Sequence, residues 1–107
     1  MQKYPVRSSA RAALNPESLA ALCRTHFDRA EQDGTSVSSG WGALAALKVW
    51  PEGKDLAVEM TMNPKVEAPI AAETIRRYNE FLQAATGYSA KERASKLRKA
   101  AKNADGA

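Results

Sequence analysis

Few residues in this chain have side chains whose type and spacing invite covalent or acid–base chemistry. Cys23 and His26 are three apart on one expected helical face, the arrangement in which an imidazole can draw a proton from a thiol. The same two residues border Leu19, Leu22 and Phe27, where a free cysteine serves as a small hydrophobe. The sequence holds one histidine and one cysteine, so a zinc site would need carboxylates from elsewhere, and no ligand pair has the usual spacing. Asp55 and Glu59 fall on one side of a strand with Ala57 between them, the pattern of an open sheet face kept wet. Ser39-Gly40-Trp41-Gly42 has neither the spacing nor the lysine of a phosphate-binding loop. No metal, no cofactor and no catalytic residue is expected, and the chemistry to look for is binding.

Two surfaces carry the binding expectation. If Leu47 and Val49 face a core, Lys48 and Trp50 face out, and an exposed aromatic beside a cation can stack on a base or dock a partner. The other reading of Trp50 is that it covers a neighbouring strand or a helix end. Near the C-terminus, at about 100° per residue, Lys91, Arg98, Lys99 and Lys102 spread over the side of a helix opposite Ala90, Ala94, Leu97 and Ala101. Cations so placed can contact phosphates, or form a solvated face. The net charge of +4 is uneven: residues 1–11 carry +3, residues 91–107 carry +4, and the middle of the chain carries −3.

The elements that must position these residues follow from periodicity. Residues 3–8 suit a short edge strand, since Pro5 lacks the N–H that an interior ladder needs. Asn15-Pro16-Glu17 is a helix start, and the spacing predicts a helix over 16–28. The Asp33-Gly34 turn joins strands over 29–32 and 35–39. The next strand, 44–50, puts Ala45, Leu47 and Val49 on one face with Leu44, Ala46, Lys48 and Trp50 on the other. After a turn at 51–54, Leu56, Val58, Met60 and Met62 alternate with polar or small residues, the pattern of an antiparallel strand covered on one side. Pro69 opens a long helix with its stripe on Ala71, Ile75, Tyr78, Leu82 and Ala85, Phe81 beside it, and Glu73, Arg76, Arg77 and Glu80 pairing outside. Gly87 ends it. Ser89 and Glu92 form a capping box for a last helix over 90–102. The expected fold class is α+β: one domain over 1–103 with a frayed end at 104–107, a two-layer sandwich of about five antiparallel strands with helices on one face, in the order β-α-β-β-β-β-α-α.

One cysteine cannot close an internal disulfide, which suits a reducing compartment. No apolar run is long enough to span a bilayer, and the N-terminal residues lack the apolar core of a secretory signal. The expected location is the cytoplasm, with no membrane partner.

Gly42-Ala43-Leu44 followed by Lys48-Val49-Trp50 and Gly53-Lys54, together with the run from Glu73 to Leu82 that continues through Thr86-Gly87-Tyr88-Ser89 to Arg93, resembles a small archaeal family of uncharacterised proteins. The resemblance covers nearly the whole chain, and its more specific part is the Gly-Tyr-Ser junction between two helices. It implies a two-layer sandwich similar to the TATA-box-binding-protein-like fold and implies no activity, cofactor or site residue. Two functions stay open from the sequence: a nucleic-acid-binding module using Lys48, Trp50 and the basic C-terminal helix, and a protein-interaction or homodimerising module.

Overall fold

The computed structural model describes residues 2–96. Strand β1 (Gln2–Pro5) is followed by a 3-10 helix (Ser8–Ala13), helix α1 (Pro16–Phe27), strands β2 (Glu31–Asp33), β3 (Ser36–Trp41), β4 (Leu44–Glu52) and β5 (Asp55–Met62), and helix α2 (Ala68–Thr86). Residues 90–96 are helical again. The strands form one antiparallel sheet in the order β1-β5-β4-β3-β2, and the α+β class and strand–helix order match the sequence reading.

Local signals explain most boundaries. The Asn15 side chain accepts from the Ser18 N–H at 2.8 Å, with Pro16 in the first turn of α1. Gly87, at φ +78°, closes α2, and its N–H donates to Gln83 O. The capping box forms as read: Ser89 N–H donates to Glu92 Oε1 at 3.1 Å and Glu92 N–H to Ser89 Oγ at 3.3 Å. The Ser89 N–H, and after it the Ser89 hydroxyl, holds the Glu92 carboxyl below its ordinary range.

The core lies between the sheet and α1 with α2. Leu19, Cys23 and Phe27 of α1, Val37, Leu47, Val49, Leu56 and Val58 of the sheet, and Phe81, Leu82 and Ala85 of α2 are all buried there.

Three details differ from the sequence reading. The register of β4 slips between Leu44 and Ala46 against both neighbouring strands. Ala45 is thus an extra residue, a bulge that turns Leu44 inward beside Leu47 and leaves Ala45 exposed. In α2 the buried positions are Thr74, Phe81, Leu82 and Ala85, with Tyr78 half-buried, while Ile75 is 54% exposed. The helix is therefore rotated from the expected stripe, and the reason is Thr74. Its Oγ1 accepts from the Ala43 N–H at 3.0 Å and donates to Ile70 O at 2.7 Å, pinning that face to the β3–β4 turn. Third, residues 6–8 leave the expected first strand: β1 ends at Pro5 and a 3-10 helix begins at Ser8. The expected domain end at 103 lies outside the described residues.

Candidate functional site

Cross-strand register shows what the face of the sheet that no described helix covers carries, because directly opposed residues share a face. One row runs Glu31, Ser38, Lys48, Glu59. The next holds Asp33 and Ser36 on one side and Trp50, Ala57 and Lys3 on the other. Beyond it Glu52, Asp55 and Pro5 align. Lys48 is exposed and Trp50 half-buried, with the Lys48 Nζ 5.9 Å from the Trp50 ring centroid. Both side chains thus stand on the outer face, as alternation with Leu47 and Val49 requires.

The register also shows what Trp50 covers. Ala57 lies directly opposite it and is fully buried although it belongs to the outer face, so the indole shields a neighbouring strand and offers its remaining surface to solvent. Next to this row, Ser38, Ala46, Lys48, Glu59 and Thr61 line part of a shallow concavity of about 680 Å³.

Among the described residues, the electrostatics of this face are not basic. Lys48 is set between Ser38 and Glu59, and Lys3 pairs with Glu52 at 3.0 Å. Five carboxylates, from Glu31, Asp33, Glu52, Asp55 and Glu59, share the face with those two lysines and with Arg29, whose guanidinium donates to Gly40 O at 3.3 Å.

Of the second expected surface, Lys91 is the described residue, and it belongs to the other layer. Lys91 is exposed on the helical residues 90–96, which dock against α2 through Arg93, whose guanidinium donates to Tyr88 O at 2.7 Å and to Asn79 Oδ1 at 3.1 Å. Arg98, Lys99 and Lys102 lie outside the described residues. The sheet face and the start of the terminal helix therefore sit on opposite layers and do not form one continuous surface.

Sequence reasoning missed the cluster at this junction. Arg93 is 3% exposed, and burial lowers its pKa from the ordinary guanidinium value. Arg7 and Lys96 stand over the Tyr88 ring at 4.7 and 4.8 Å from its centroid, and Arg7 also binds Glu92 at 3.0 Å. The signal was the capping box itself, which places residue 93 one turn into a helix that must fold back on α2. A similar pin ties the middle of α2 to the end of α1 and to Trp41 of β3. The Arg77 guanidinium lies 4.2 Å from the Trp41 ring centroid, donates to His26 O at 2.9 Å and binds Glu73 at 3.1 Å. Arg76 pairs outside with Glu73 and Glu80 as expected from spacing.

The possible thiol–imidazole pair takes the packing role. Cys23 is fully buried and burial pushes its pKa up to about 12, while His26 forms a T-shaped pair with Phe81 at 6.2 Å. A thiol-specific reagent at neutral pH is expected to leave Cys23 unlabelled in the folded protein and to label it fully in denaturant. Rapid labelling without denaturant would reopen nucleophilic chemistry. Among the described residues, no group of three or more His, Cys, Asp or Glu side chains is placed to hold a metal ion, and no helix is long and apolar enough to cross a membrane.

A family model described as a domain of unknown function, DUF5611, matches residues 1–99. The chain is also similar in fold to the solution structure of a hypothetical protein from Thermoplasma acidophilum, with a TM-score of 0.59 and 21% identity over 91% of this chain and 97% of the other. No curated protein matches it.

Proposed function

We propose that this chain, which belongs to the DUF5611 family of domains of unknown function, is a small non-enzymatic module that binds another protein through the face of its sheet that no described helix covers. The observation that supports this is the surrounding of Trp50. A half-exposed indole next to a shallow concavity is a docking feature, and five carboxylates against Lys3, Lys48 and Arg29 on the same face repel a phosphate backbone and attract a cationic protein surface.

A second reading has its own observation. Arg7, Lys91 and Lys96 gather at the start of the terminal helix, and Arg98, Lys99 and Lys102 follow in sequence, so a nucleic acid would be met on the helical layer, by charge. The saddle of the TATA-box-binding proteins, to which the sequence resemblance pointed, uses its sheet face instead and requires two tandem repeats, where this chain supplies one.

The test is a titration of the isotope-labelled protein, followed by NMR, with an arginine-rich peptide and separately with short single- and double-stranded DNA and RNA, at low and high salt. The expected result is that the peptide moves the Trp50 indole, Ser38, Lys48 and Glu59 signals and that oligonucleotides leave them in place. Oligonucleotide shifts at Lys48 and Trp50 that vanish at high salt would replace this reading with nucleic-acid binding by the sheet. Silence of the face toward the peptide would also overturn it.

A further inference from the structure

The sheet has an edge that β1 covers only in part. Gln2 stands opposite Val58, and among the described residues no strand lies beside residues 59–62 of β5 on that side. Which backbone groups face this gap follows from one bond beyond the strand. The Asn63 N–H donates to Ala43 O at 2.7 Å, toward β4. In an antiparallel ladder backbone groups alternate sides every residue, and β5 runs from Asp55 to Met62 without a slip of its own. Ala57, Glu59 and Thr61 therefore point their N–H and C=O to β4, and Val58, Met60 and Met62 point theirs the other way. Val58 meets Gln2 there, whereas Met60 and Met62 meet no described strand.

The same two residues expose large apolar side chains, at 47% and 41%. Ile70, at 41%, lies close by: it approaches Gly42 at the β3–β4 turn, and Met62 pairs with Leu44 at that turn. An unpaired strand edge flanked by exposed apolar groups is a template for another strand.

We infer that this edge pairs with the same edge of a second copy of the chain, antiparallel about Thr61, independently of any partner on the sheet face. The register is self-complementary. With Thr61 opposite Thr61 of the second copy, Met60 faces Met62 of that copy and Met62 faces its Met60, and each such pair exchanges both main-chain hydrogen bonds, four in all. Glu59 then falls opposite Asn63 of the second copy, so no like charges are juxtaposed, and the two threonines meet at the close, non-hydrogen-bonded position where such pairs are favourable. Other registers fail. Centring on Met60 would put Met62 of the second copy opposite Val58, whose edge β1 already occupies. Centring further along would require pairing through Pro64, which has no N–H to give, after Asn63 has turned the chain by accepting from the Lys65 N–H. The contact is isologous and closes as a dimer.

The test uses the full 107-residue chain. Light scattering from micromolar to millimolar concentration is expected to show the mass rising from 11.6 kDa toward twice that value. Over the same range, amide exchange at Met60 and Met62 should slow, with Thr61 protected throughout by β4. Met60→Lys with Met62→Lys is expected to give a monomer at all concentrations, with the amides of Val49 and Val58 protected as before. A mass that stays at 11.6 kDa, a dimer that survives both lysines, or Met60 and Met62 amides protected equally at every concentration, which would mean that the chain covers its own edge, would each overturn the inference. The exchange data need no variant, so they decide the matter even if the double substitution fails to fold. A negative result here leaves the peptide titration of the sheet face untouched, because the edge and the face are read from different signals.

Discussion

Phe81→Ala is expected to lower the unfolding free energy by about 3–5 kcal/mol, while Ile75→Ala, six residues earlier in the same helix, is expected to change it by less than about 0.5 kcal/mol. Phe81 is fully buried and joins the two helices: its ring lies 5.3 Å from that of Phe27 on α1, tilted by 50°, and forms a T-shaped pair with His26. Removing it opens a cavity between α1, α2 and the sheet whose walls are strands and helices held by their own hydrogen bonds, so little collapse can offset the loss. Ile75 is more than half exposed, and truncating it returns little apolar surface to water. Equilibrium urea unfolding at low protein concentration measures both, with a shift of the midpoint at constant slope marking a change in stability alone. Comparable costs at the two positions would mean that α2 sits in the rotation read from the apolar stripe and not in the one described by the structure.

That rotation illustrates which parts of the fold were legible in the sequence. Helix α1, the turn after β4 and the first half of β5 were readable because each carries its own local chemistry: an Asn-Pro start, a Gly-Lys turn at 53–54, and two-residue alternation that buries Leu56 and Val58 but leaves Met60 and Met62, read as part of the same covered face, exposed. The phase of α2 was not, because a buried polar residue decides it. Thr74 looks like a solvent-facing position until Ala43 N–H, thirty-one residues earlier, is brought to its hydroxyl, and Ile75 then takes the exposed side. The bulge at Ala45 was hidden for a different reason. In Leu44-Ala45-Ala46-Leu47 the alanines fit either face, so alternation cannot locate the extra residue; the trace it leaves is Gly40 on the neighbouring strand, where a Cβ would come within 2.9 Å of Leu44 O. The outward aim of Lys48 and Trp50 was legible from Leu47 and Val49, but the acidity of their surroundings was not. Glu31 and Asp33 from β2 and Glu52, Asp55 and Glu59 from β4 and β5 share a face because of pairing register, which is a property of the assembled sheet.

The β3–β4 turn supplies the other large effect, and its size rests on one contact. Gly42 has φ +54°, a region that costs an L-residue roughly 1–2 kcal/mol, and a Cβ built there would stand 2.6 Å from Thr74 Oγ1 and 3.0 Å from Ile70 Cγ2. Gly34 and Gly53 have similar angles, +62° and +61°, but a Cβ at either would meet nothing within 4 Å. Gly34→Ala and Gly53→Ala are therefore expected to cost the backbone strain alone. Gly42→Ala must in addition drive the Thr74 hydroxyl from the Ala43 N–H, and leaving such a buried donor unpaired adds about 1–3 kcal/mol. Ile70 is partly exposed and can turn aside, so Thr74 is the contact that matters. A double-mutant cycle isolates it. Thr74→Ala has already given up the hydrogen bond and cleared the space, so adding Gly42→Ala in that background should cost no more than Gly34→Ala does alone. If the cost of Gly42→Ala is the same with and without the Thr74 hydroxyl, the pin between α2 and the β3–β4 turn does not set the rotation of the helix, and the burial of Phe81 must be explained by packing against Phe27 alone.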